Sequence, residues 1–224
     1  AIEQQEIHQR AWHWLAEQGD AEQAARHALA AGYAQDAFAL IADSLYDSCM
    51  KAGHYGTVAE WLARMPETEI FLNTPLRLTA GWQAALNGDW QRAEHFVGSL
   101  VEPPDSDAGL YGEALAILAV ANSRAERLDV AERYSSAYPK NAGDSLASRS
   151  ITHIRAFSAL FSGASEEARR LLANIPSDNR FFAQEVVHSR SLGHIYLWEG
   201  RPTLADAAVR RRYALCEVAA GRRN

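Results

Sequence analysis

The sequence predicts an all-helical chain built from repeated pairs of helices. Three observations carry that expectation. Ala, Leu, Glu, Arg and Gln, the strong helix formers, fill much of the 224 residues. Runs in which β-branched and polar residues alternate, the mark of a half-buried strand, are missing. A short phrase also recurs at a nearly constant interval, which marks stacked structural units rather than one irregular core.

Each copy of the phrase ends a helix at Gly, crosses a few polar or turn residues and opens the next helix around an Ala. Clear copies run Gly19-Asp20-Ala21-Glu22-Gln23-Ala24, Gly88 to Ala93, Gly163 to Ala168 and Gly200 to Ala205. Degenerate copies run Gly53 to Val58 and Glu126 to Ala131, where Glu126 takes the glycine's place. The beat falls at 19, 53, 88, 126, 163 and 200, at intervals of 34, 35, 38, 37 and 37 residues. A period near 34 is that of a tetratricopeptide helix-turn-helix unit. The expected fold is therefore all-α, with tetratricopeptide-like hairpins forming a right-handed superhelix. Gly suits the bend because it accepts the left-handed conformation that ends a helix. The small residue five positions later lets the two helices approach closely.

A second small residue is expected seven before the beat, where the paired helices cross. Gly81, Ala119, Ala156 and Gly193 fit, and Leu192-Gly193-His194-Ile195-Tyr196 reproduces the Leu-Gly-x-x-Tyr signature. Trp12 and Tyr46 hold that slot in the first two copies, so those units are non-standard. An extra phrase from Ala31 to Ala37 suggests three short helices at the start rather than a clean pair. One array is expected over 1–224, irregular over 1–74 and more regular over 75–224. The stretches 101–107 and 138–144 read as its most loop-like linkers.

Composition and motifs narrow the function. The net charge is −6, with Arg210-Arg211-Arg212 and Arg222-Arg223 as the nearest things to a basic run. A duplex-binding surface clusters Lys and Arg to neutralise phosphates, so no nucleic-acid contact is expected of this chain. Cys49 and Cys216 stand far apart without a Cys-x-x-Cys, which reads as two reduced, packed thiols of a cytoplasmic protein. No apolar run reaches the length of a membrane span, and the N-terminus is not signal-like. Eight histidines occur without a His-Glu-x-x-His or other zinc spacing, and Ser145 to Ser150 lack a Gly-x-Ser-x-Gly elbow. The pair Glu166-Glu167 opens a helix and suits its positive end. No metal, no cofactor and no catalysis are expected. The chain starts at Ala1 inside an amphipathic stretch and reads as a piece of a longer protein.

Binding residues are sought on the first helix of each unit, which lines the inner surface of such arrays. Counting back from the beat gives Leu78, Trp82 and Leu86, then Glu113, Val120 and Arg124. The next units give His153, Phe157 and Phe161, then Arg190, His194, Leu197 and Trp198. Trp82, Arg124, His153, Phe157, Arg190, His194 and Trp198 are the candidate groove. Rings with a few polar groups suit a small ligand or a peptide. Rings at helical spacing also pack between adjacent helices, and both readings stand at this point.

The opening residues carry a family resemblance. His8 to Gly19 runs on into Glu22-Gln23-Ala24-Ala25-Arg26-His27-Ala28-Leu29-Ala30-Ala31-Gly32. Further on come Trp61 to Glu67 and Thr74-Pro75-Leu76-Arg77-Leu78. Residues 5–90 resemble the start of the helical-repeat sensor region of MalT-like, ATP-dependent regulators of the LuxR family. The resemblance implies a full-length protein with an N-terminal ATPase, this array and a C-terminal helix-turn-helix. ATP would belong to that ATPase, since the chain holds no Gly-x-x-x-x-Gly-Lys-Ser/Thr loop. It also implies a sensor that binds a small-molecule inducer or a protein partner and takes part in self-association. The alternative is a tetratricopeptide scaffold for proteins with no small-molecule ligand.

Overall fold

The computed structural model describes residues 2–50, 53–101, 108–140, 142–176 and 182–221. The linker residues 102–107 and Asn141, and the side chains of Cys49, Cys216 and Arg212, lie outside the described residues. So do Arg222 and Arg223. The described residues form thirteen α-helices and one 3-10 turn, with no strand among them. They belong to two compact units, residues 1–49 with 54–80, and residues 50–53 with 81–224.

The first unit holds α1 (Ile2–Glu17), α2 (Ala21–Ala30), α3 (Ala34–Met50), α4 (Tyr55–Arg64), α5 (Glu67–Leu72) and the start of α6 (Thr74–Asn87). Helix α1 lies on α2, where Gln5 Nε2 donates to the Ala31 carbonyl at 2.9 Å and the Nδ1 atoms of His8 and His27 meet at 2.8 Å. Its core is mostly small: Ala24, Ala25, Ala28 and Ala37 are fully buried, beside Ile41, Leu45 and Trp61. Pro66 breaks the chain between α4 and α5, and Asn73 Oδ1 caps α6 by accepting from Leu76 N.

The second unit continues α6 and adds α7 (Trp90–Val97), the 3-10 turn Gly98–Val101, α8 (Ala108–Arg124) and α9 (Leu128–Ala137). It ends with α10 (Leu146–Phe161), α11 (Ser165–Ala173), α12 (Phe182–Trp198) and α13 (Pro202–Gly221). Helices pair as α8–α9, α10–α11 and α12–α13. The first helix of each later pair lies on both helices of the pair before it: α10 on α8 and α9, α12 on α10 and α11. Helix α8 touches α7, α9 and α10, and accordingly it has no polar face through its middle: Ala114 to Ala119 are all buried.

The beat found in the sequence is a structural bend. Gly19, Gly32, Gly53, Gly88, Gly163 and Gly200 all have φ between 68° and 87°, and Glu126, at 60°, is the one non-glycine with positive φ among the described residues. At every beat except Gly53 the same two hydrogen bonds close the helix. At Gly163 the bend residue donates to the Leu160 carbonyl, and the next residue, Ala164, donates to the Ala159 carbonyl. Gly19, Gly32, Gly88, Glu126 and Gly200 repeat that three-back and five-back pattern. This is the Schellman arrangement, which satisfies carbonyls that a helix end would leave bare. At Gly53, which follows residues outside the described ones, His54 N donates to Ser48 O, six residues back. The residue five past each bend, Ala24, Ala37, Val58, Ala93, Ala131, Ala168 or Ala205, is at most 3% exposed. An L-residue held left-handed is strained, and the Glu126 side chain is exposed. Glu126→Gly is expected to raise stability by about 0.5–1 kcal/mol, net of the greater chain entropy of Gly. Urea unfolding of both proteins measures it.

The small slot seven before the bend is not equally demanding at each copy. A Cβ on Gly81 would stand 2.8 Å from Val97 Cγ1 and 3.3 Å from Ile117 Cγ2, so the glycine there is a packing requirement. A Cβ on Gly193 would meet nothing closer than 3.7 Å, an ordinary contact. The glycine of the Leu-Gly-x-x-Tyr copy is therefore tolerated rather than forced.

Candidate functional site

The expected inner-face slots of the last two first helices, α10 and α12, come together in the second unit. Six residues before their bends stand Phe157 and His194, and two before stand Phe161 and Trp198. Their rings form a connected row. Phe157 stacks toward Phe161 with centroids 6.4 Å apart, tilts against His194 at 5.8 Å, and Phe161 meets Trp198 edge-on at 6.1 Å. These are separations at which aromatic pairs attract one another. Phe161 is 56% exposed and Trp198 60%, so the outer half of the row is surface rather than core. Leu197 beside it is equally open.

A recess of about 210 Å³ opens next to the row, lined by Leu128, Glu132, Ile154, Phe157, Ser158 and Phe161. Ser123 also faces it, at the slot where the next hairpin places Leu160. The shorter side chain leaves room that a leucine would fill. The recess thus combines two phenyl rings and aliphatic walls with a carboxylate and hydroxyls at its edge.

Nearer the start of the same two helices lies a seam of buried polar groups. Ser150 and His153 of α10 face Gln184 and Ser191 of α12: Gln184 Nε2 donates to Ser150 Oγ at 3.1 Å, and His153 Nδ1 lies 3.2 Å from Ser191 Oγ. Ser191 has one hydroxyl proton and gives it to the Val187 carbonyl at 2.9 Å. It can then only accept from His153, which fixes the proton of that imidazole on Nδ1 and leaves Nε2 as a bare acceptor. His153 Nε2 is buried and has no hydrogen-bond partner among the described residues. Burial, then the charges of His188, Arg190 and Arg149, pushes the His153 pKa from 6.5 down to about 3. Its ring sits edge-on to His188 at 5.8 Å, and burial lowers the His188 pKa as well, against the pull of Glu185. Both imidazoles are neutral near pH 7. Arg149, 2% exposed, is held by both oxygens of Asp144, Nε to Oδ1 and Nη2 to Oδ2, each at 2.8 Å.

The candidate residues divide between these arrangements. Phe157, His194 and Trp198 stand in the ring row. His153 is in the seam, with Arg190 near enough to act on its charge. Trp82 is 1% exposed and donates from Nε1 to Glu113 at 2.8 Å, so it packs α6 onto α8 and presents no free face. Arg124 has an exposed side chain, and its backbone abuts the Gly88 bend: a Cβ on Gly88 would lie 3.6 Å from the Arg124 carbonyl oxygen. Among the described residues, no ring or charge contact brings Trp82 or Arg124 into the row. Sequence reasoning missed Gln184, His188 and Ser191, although their spacing of four and three along α12 marks one helical face.

No family model, no curated protein and no solved structure matches the chain. Among the described residues, no helix is long and apolar enough to cross a membrane.

Proposed function

We propose that this chain is a binding and sensing module of a larger regulator. Its hairpins are tetratricopeptide-like and coil into a right-handed superhelix. Its place is the sensor region of a MalT-like, LuxR-type protein, cytoplasmic, with ATP and DNA handled by other domains. The resemblance over residues 5–90 supports the family. The recurring bends support the repeat. One observation carries the binding reading: the outer half of an aromatic row is left open beside a recess, on the same two helices that bury a neutral His153. Phenyl and indole faces desolvate the apolar side of a ligand, and Glu132 and the serines orient its polar side. Neither step makes or breaks a covalent bond, so the module binds and does not catalyse.

A ligand acts on the array only if it prefers one packing of the hairpins over another. Each first helix packs on the hairpin before it, so a small rotation of α10 against α12 carries into the units that follow. The test is a thermal-shift screen of metabolites against the native chain and a Phe161→Ala, Trp198→Ala variant. Both side chains are more than half exposed, so the unliganded variant is expected to melt with the native chain. At least one chemical class should raise the native midpoint with the concentration dependence of mass action, and the variant should lose that response. Silence across the library, or a full response in the variant, refutes the small-molecule reading. Capture of a polypeptide on the same row without any metabolite effect would make the chain a scaffold.

A further inference from the structure

We infer that the outer face of the last hairpin, α12–α13, is a stacking surface for one more amphipathic helix of the repeat pattern. The inference rests on how the hairpins pack and does not depend on the ligand site. Four slots form this face in each hairpin, at seven and three residues before the bend and five and nine after it. In α10–α11 they hold Ala156, Leu160, Ala168 and Leu172, each at most 2% exposed and sealed by Ile195 and Leu192 of the next first helix, α12. In the α6–α7 hairpin they hold Gly81, Ala85, Ala93 and Val97, all buried.

The last hairpin repeats the chemistry, and among the described residues no helix covers it. Its slots are Gly193, Leu197, Ala205 and Val209. Gly193 packs toward Val209, so the α12 and α13 halves of the face adjoin. Leu197 is 59% exposed where Leu160 is 2%, and Val209 is 38% exposed where Leu172 is fully buried. The groove between two such helices is shaped for a third helix, as α10–α11 takes α12. Two arginines of α13 are held by carboxylates, Arg210 by Asp206 at 2.7 Å and Arg211 by Glu185 at 3.4 Å. The aliphatic slots themselves select an apolar seam. The occupant that fits is therefore a helix with branched aliphatic residues three apart, as Leu192 and Ile195 are on α12, supplied by a further hairpin of the same pattern.

The probe is a labelled, hydrocarbon-stapled peptide with the sequence of residues 182–198, so that its helix is formed before it docks. Fluorescence anisotropy against the full chain should show saturable binding. Leu197→Glu with Val209→Glu should weaken it at least about tenfold, which is about 1.4 kcal/mol, while far-ultraviolet circular dichroism stays unchanged. Leu197→Gln alone is the milder variant should the double one misfold, and it should weaken binding in the same direction. Phe161→Ala, which alters the ring row and the recess but none of the four slots, should bind the peptide as the native chain does. Absence of saturable binding, or binding indifferent to the Leu197 variants, overturns the inference. So does a dimer of the free chain in the ultracentrifuge that the double variant dissolves, because the occupant is then a second copy.

Discussion

Asp144→Ala is expected to cost the chain about 3 kcal/mol, because it takes both carboxylate acceptors away from a buried guanidinium. Arg149 is almost wholly buried in α10, and both oxygens of Asp144 bind its guanidinium. An arginine cannot shed its proton to escape the low-dielectric site, unlike a buried lysine or histidine. The partner stands just before Ser145, whose hydroxyl accepts from Ser148 N and starts α10. Loss of the pair thus loosens the entry to the helix that carries His153, Phe157 and Phe161. Urea unfolding at pH 7 measures the cost. Asp144→Asn keeps the shape and one acceptor and should cost less. Equal stability of Asp144→Ala and the native chain would show that water already serves the guanidinium.

Acid should destabilise the chain well above the pH at which carboxylates titrate. The His153 pKa is about 3 in the folded chain and 6.5 in the unfolded one. Below pH 6.5 the unfolded state therefore takes up a proton that the folded state refuses. Stability is full above pH 6.5 and falls as pH drops through the window from 6.5 toward 3. One proton of difference corresponds to about 1.4 kcal/mol per pH unit, or about 2 kcal/mol between pH 6.5 and 5. The groups around the ring are His188 and Arg190 of α12 and Arg149 of its own helix, all of which oppose protonation. His188 is shifted in the same direction and adds to the slope. His153→Gln should lower the slope of stability against pH in this window, whatever it does to stability at pH 7. An unchanged slope would mean that His153 protonates freely in the folded state.

The bends were legible because they rest on local chemistry. A residue that must be left-handed is read as Gly, and the Ala five positions on reports the closeness of the helices. The rest of the phrase was strong enough to place Glu126 at a bend without a glycine, and its φ of 60° agrees. Gly53 was placed at a bend too, yet its six-residue closure left no mark in the sequence. The candidate face was legible only in outline. Trp82 and Trp198 both occupy inner-face slots by counting, but Trp82 is buried against Glu113 while Trp198 is more than half exposed, with Phe161 at its edge. Periodicity says which side of a helix a residue is on. It does not say whether another helix covers that side, because cover depends on the cross-helix register and on residue sizes far away in sequence. For the same reason the spacing of Gln184, His188 and Ser191 could mark a polar face but not its burial against Ser150 and His153.

The open ring row is the proposed seat of the ligand. Fluorine NMR of the chain labelled with 5-fluorotryptophan tests this directly, with the Trp198 resonance assigned from Trp198→Phe. A compound that raises the melting point should shift the Trp198 signal and leave those of the buried Trp61 and Trp82 in place. A stabilising compound that moves the other signals and leaves Trp198 untouched would contradict it.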